Sequence, residues 1–152
     1  MRTKVPLAVA VLLTVTTIPV CASGYDDKVF SQQSIDALEA KASQAQPREQ
    51  CFLYAELVHE MTEFSLRQYA AGDAEKAADL LKQIQKLAHN IHLSMADDNK
   101  RLKNAQILLR HTSFRLGEML HASSIEDRPL VEETLAQVNQ AQNEAMMQVF
   151  RK

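Results

Sequence analysis

Glycine, cysteine and proline are all scarce in this chain, and each scarcity removes a class of protein. The 152 residues hold three glycines, two cysteines and four prolines. Three scattered glycines cannot form a loop that cradles phosphate with backbone N–H groups, which excludes the glycine-rich nucleotide-binding motifs. No C-x-x-C-H run is present for covalent haem, and no serine stands in a G-x-S-x-G elbow. No cofactor motif is found, and no motif assigns a reaction. Strand-like alternation, low-complexity segments and fixed-period repeats are also missing.

What remains favours helices. Ala, Leu, Gln, Glu and Lys dominate after residue 30, and only Gly72, Gly117, Pro47 and Pro129 interrupt them. The expected fold class is all-α, an antiparallel bundle of four or five helices.

The first 22 residues have a different character. Arg2 and Lys4 precede an uncharged, mostly apolar run over residues 5–18, shorter than the ~20 residues that span a hydrocarbon core. Pro19 breaks the run, and Val20-Cys21-Ala22 supplies the modest side chains that a signal peptidase reads. We therefore expect a bacterial-type signal peptide over residues 1–22, an irregular leader over 23–30, and one helical domain over 31–152. The mature chain is expected to be periplasmic or secreted, with no transmembrane segment. Lipid attachment at Cys21 is disfavoured, because Pro19-Val20 stands where a very small residue is wanted. Cleavage leaves 15 of the 17 basic residues against all 19 acidic ones, moving the formal charge from −2 to −4. An acidic exported chain has no global attraction for nucleic acid. Only Cys51 survives cleavage, so no internal disulfide can form. Its place on an apolar stripe predicts a buried, inert thiol.

Periodicity outlines five helices. The first starts at Ser31 or Ser34, ends near Gln46, and turns Ile35, Leu38 and Ala42 inward. The second, about 48–71, repeats Cys51, Ala55, Val58, Thr62, Ser65 and Tyr69 at spacings of four and three. Glu56, Glu60, Glu63 and Arg67 are assigned to its polar side. Gly72-Asp73 stops that helix and starts a third, whose apolar side runs from Ala77 to Met95. Asp97, Asp98 and Asn99 are candidate caps before a fourth. Its seam is Leu102, Ala105, Leu109, Thr112, Leu116 and Met119. A lesser row, Ile107 and Phe114, suggests that the fourth helix is central and contacted on two sides. Asp127 and Pro129 open a fifth, carrying Val131, Leu135, Val138, Ala145 and Val149. Gly72-Asp73 with Ala77 and Leu81 has the offsets of a tetratricopeptide turn. The preceding helix lacks that family's aromatic and glycine markers, and His89 stands where its proline belongs, so the chain is not assigned to it.

Two Glu-x-x-His runs, Glu56 to His59 and Glu118 to His121, have the spacing that di-metal bundles use. If the chain reverses at Gly72 and near Asp98, however, Glu118 is level with about Gln68, ~18 Å along the bundle from Glu56. Metals in such sites lie ~4 Å apart, so the runs cannot share one. A mononuclear metal site using some of Glu118, His121, His89 and His92 is the alternative reading, with His89-x-x-His92 the closest pair in sequence. The other candidate site is basic. Lys100, Arg101, Lys103, Arg110 and Arg115 precede any acid on the fourth helix, and Lys100, Arg101 and Lys103 are the candidate contacts for an acidic partner. Salt bridges to the acidic second helix would be a structural use for the same charges. The function expected is a non-enzymatic interaction or structural module, with a protein partner or self-association.

Overall fold

The computed structural model describes residues 30–94 and 99–151. The expected signal peptide, nearly all of the expected leader, Met95 and the candidate caps at Asp97 and Asp98 lie outside the described residues. Within them the chain is all-helical: α1 (Gln32–Gln44), α2 (Pro47–Ala70), α3 (Ala74–Leu93), α4 (Asn99–Ala122) and α5 (Arg128–Phe150).

Local chemistry explains the boundaries. Ser31 and Ser34 cap α1 reciprocally, each hydroxyl accepting from the other's backbone N–H, at 3.2 and 3.0 Å. Pro47 opens α2, where a missing N–H costs nothing. Gly72 adopts φ +86°, the left-handed turn that side chains resist. Its N–H donates to Tyr69 O, and Asp73 N–H donates to Gln68 O at 2.9 Å, closing the helix end. Asp73 then caps α3 by accepting from Lys76 N–H at 3.1 Å.

Helices α2 to α5 form a four-sided bundle. α2 packs on α3 and α4, and α5 packs on the same two, while α3 and α4 make no contact among the described residues. Glu49 pairs with Arg101, His59 with Thr112 and Glu63 with Arg115, so α2 and α4 run parallel. Gln85 bonds Thr134 and His92 bonds Glu144, so α3 and α5 are parallel too. The expected bundle is therefore present, but it is antiparallel only across two sides. The cause is that α3 and α4, consecutive in the chain, occupy diagonal corners of the bundle instead of neighbouring ones. α3 and α4 are separate helices, since they run in opposite directions on opposite corners.

α1 lies against α2 alone. That makes α2, not α4, the central helix, contacted by α1, α3 and α4. Its burial reflects this: Leu53, Leu57, Met61 and Phe64 are buried beside the expected Cys51, Ala55, Val58, Thr62 and Ser65. Glu60, assigned to the polar side, is only 3% exposed, because three neighbours leave α2 little open surface. Hydroxyls in this core are satisfied locally. Thr62, Thr112, Thr134 and Ser123 each donate to the carbonyl four residues back, and Ser65 donates across to Ala77 O at 3.0 Å.

The far end of α2 is tied to the α4–α5 loop by Tyr69. Its hydroxyl donates to Asp127 Oδ2 at 3.1 Å and accepts from Ser124 N–H at 2.8 Å. No described helix is long and apolar enough to cross a membrane.

Candidate interaction surface

The bundle sorts the side chains of α4 by direction. Leu102, Ala105, Leu109, Thr112, Leu116 and Met119 face the core, as expected from the seam. Two basic residues turn toward α2. Arg115 donates to Glu63 through Nε at 2.6 Å and Nη2 at 3.0 Å, a bidentate pair, and also reaches Glu118. The hydrogen bond to Glu63 raises the guanidinium pKa further, so its charge is fixed at every accessible pH. Arg101 lies 3.9 Å from Glu49 and 5.2 Å from the centre of the Phe52 ring. These residues use the salt-bridge option that the acidic second helix offered. The side chain of Lys100 lies outside the described residues.

A second set points outward. Lys103, Arg110 and His121 are exposed, and Ile107 and Phe114, the lesser row, are 44% and 66% exposed. The row expected to be packed is bare because the extra helix, α1, covers α2 instead. At 3.6 residues per turn, Ile107, Phe114 and His121 are spaced seven apart and lie in one row, with Lys103 and Arg110 in the row beside it. The stripe is ~27 Å long at 1.5 Å per residue. Among the described residues neither Lys103 nor Arg110 makes an ion pair, although Arg101 and Arg115 on the same helix do. Two residues of this stripe are sequence candidates, Lys103 for an acidic partner and His121 for a metal. Arg110 had been counted with the basic run, and Phe114 had been read as a packing residue.

Gly117 stands inside α4, in its C-terminal part, at the flank of this stripe. A Cβ built there meets nothing within 4 Å, and its φ is not positive. Neither the backbone nor the packing of this chain calls for glycine there, yet glycine inside a helix costs ~0.5–1 kcal/mol relative to alanine. Gly117→Ala is therefore expected to stabilise the monomeric fold by about 0.5–1 kcal/mol in urea unfolding. Destabilisation would show an unseen packing demand.

The histidine candidates are distributed elsewhere. His89 and His92 lie on α3 with ring centres 6.4 Å apart, along a groove of about 490 Å³ against α5. His92 Nδ1 is 2.5 Å from Glu144 Oε2, and Gln140 donates to the other carboxylate oxygen at 3.0 Å. The Gln140 hydrogen bond, with help from His92, holds the Glu144 pKa below its ordinary value. Glu118 and His121 are exposed on α4 and far from this groove. The parallel register makes Glu118 level with about residue 66 of α2, ~15 Å along the bundle from Glu56. The two Glu-x-x-His runs are not brought together. Among the described residues no three His, Cys, Asp or Glu side chains form a group able to hold a metal.

A second groove, about 420 Å³, lies between α2 and α4 under Phe30 and is lined by Phe52, Glu56, His59, Glu60 and His111. Thr112 spends its one proton on Leu108 O, so its oxygen accepts from His59 Nδ1–H at 3.2 Å. Glu56, His59, Glu60 and Phe30 all have interaction partners, so the groove wall is an engaged surface. No family model, curated protein or solved structure matches this chain. Its own surface is therefore the guide to function.

Proposed function

We propose that the chain is an exported helical interaction module that binds a protein partner through the outward stripe of α4. One observation carries this reading. Two large apolar side chains, Ile107 and Phe114, lie opposite the core seam, flanked by Lys103 and Arg110, which make no ion pair among the described residues. Apolar side chains scattered singly are ordinary on a protein surface, whereas a row at heptad spacing bordered by one sign of charge fits an amphipathic acidic partner. Arg110 and Phe114 also belong to the residue types that anchor interfaces.

Lys103→Glu with Arg110→Glu should leave the fold intact, because both side chains are exposed and neither is ion-paired among the described residues. The double variant is expected to lose at least ~10-fold in complex formation, about 1.4 kcal/mol, in extracts of the source cells on a native gel. Its melting curve should match that of the unaltered chain. Undiminished complex would remove the basic stripe from the proposal.

Export is part of the same proposal, supported by Arg2, Lys4, the apolar run over 5–18 and Val20-Cys21-Ala22. The mass of the chain isolated from its own host is expected to equal residues 23–152 with no lipid. A lipidated Cys21 or an intact first residue would contradict it.

A further inference from the structure

We infer that the groove between α3 and α5 binds one copper(I) ion through the imidazoles of His89 and His92 and the thioether of Met147, with Glu144 behind His92 as the orienting carboxylate. This site shares no residue with the outward stripe of α4, so the two stand or fall separately.

The parallel packing of α3 and α5 assembles the donors. His92 is level with Glu144, its Nδ1 2.5 Å from Oε2. A carboxylate only accepts, so Nδ1 carries the proton, and in the neutral ring Nε2 keeps a bare lone pair. Metal-bound histidines have this same support, a carboxylate behind the ring that fixes its tautomer and its aim. Glu144 is held in turn by Gln140 at 3.0 Å.

His89 stands one turn before His92 on the same side of α3, with ring centres 6.4 Å apart and planes 28° from parallel. Two rings sharing one ion at ~2.0 Å from each nitrogen have centres up to about 6 Å apart, so small rotations of these exposed rings bring both to one ion. Met147 stands one turn beyond Glu144 on α5. With His92 and Glu144 it lines an adjoining groove of about 340 Å³. Long side chains on a helix lean toward its N-terminus, and methionine has three rotatable bonds. The exposed thioether therefore reaches back to the level of His92.

The donor types choose the metal. Thioether sulfur is soft and selects copper(I), and imidazole suits copper as well. Zinc is served by four donors drawn from His, Cys, Asp and Glu, and among the described residues no three of these form a group. Glu144 is committed to His92, which leaves two imidazoles and a sulfur.

The test is an anaerobic titration of the chain purified from its own host and stripped of metal, with copper(I) kept reduced by ascorbate and competed against a coloured chelator. One ion per chain should bind. His92→Ala and Met147→Leu should each weaken it at least ~10-fold, and Glu144→Ala ~10–100-fold through loss of the orienting carboxylate. His121→Ala on α4 should leave it unchanged. At about 100 times the Kd, copper(I) should raise the melting temperature by ~5–10 °C, and the rise should vanish in His92→Ala. Metal-free melts of the variants should match the unaltered chain, because all the altered side chains lie at the surface. A chain that neither competes for copper(I) nor melts higher in its excess would overturn the inference. So would copper(I) affinity indifferent to Met147→Leu, or zinc bound as tightly as copper(I).

Discussion

Leu116→Ala is expected to cost about 2–5 kcal/mol, whereas Phe114→Ala, two residues away on the same helix, should cost under about 1 kcal/mol. Leu116 is 0% exposed and lies on the seam of α4 between Thr112 and Met119, both of them also buried. Truncating it removes buried methyl groups and leaves a cavity between helices that already pack on opposite flanks of α4. Small domains are stable by only ~5–15 kcal/mol, so the loss is a large share of the total. It should appear as a fall in melting temperature on the order of 10–20 °C. Phe114, at 66% exposure, has little buried area to lose. Equal costs at the two positions would mean that α4 is rotated from the orientation described, and the outward stripe would fall with it.

The Cys51 thiol should react with a soluble disulfide reagent at least ~100-fold more slowly in the native chain than in urea. Two causes act together. Burial raises its pKa from 9.0 to about 11, which cuts the thiolate fraction at neutral pH ~100-fold. The side chain is also only 3% exposed, so the reagent reaches it mainly through opening of the fold. The rate should climb with pH through the range in which the thiol ionises. Labelling at the rate of an ordinary cysteine would place Cys51 on the surface, open to a disulfide between chains.

The helices were legible in the sequence because each has its own punctuation. Gly72-Asp73 and Pro47 set three boundaries within a residue or two, and the seam of α4 was read residue for residue. What could not be read was which helix receives the extra neighbour. Both α2 and α4 carry a second apolar row, and periodicity gives no means of choosing between them. α1 settles on α2, which buries Leu53, Leu57, Met61 and Glu60 and leaves Ile107 and Phe114 bare. The candidate site followed from that choice, so only its two ends were visible beforehand, Lys103 as a partner contact and His121 as a metal candidate.

The same limit applies to the basic run. Its five charges are equivalent in sequence, and the parallel pairing of α2 with α4 separates them. With α4 on the corner diagonal to α3, Glu49 and Glu63 lie beside Arg101 and Arg115, while Lys103 and Arg110 face away. Connections across a bundle diagonal leave no local signal, since the crossing depends on which faces bury the most surface together.

The most direct measurement is a photo-crosslinking scan in the native host, with the reactive residue at 103, 107, 110, 114 and 121 on α4. Gln83 on α3 and Glu133 on α5, both exposed, serve as comparison positions. The expected result is a discrete adduct from the α4 stripe, strongest at 107 and 114, with none from 83 or 133. Uniform labelling at all positions, or adducts from α3 and α5 alone, would contradict the assignment of α4 as the binding face.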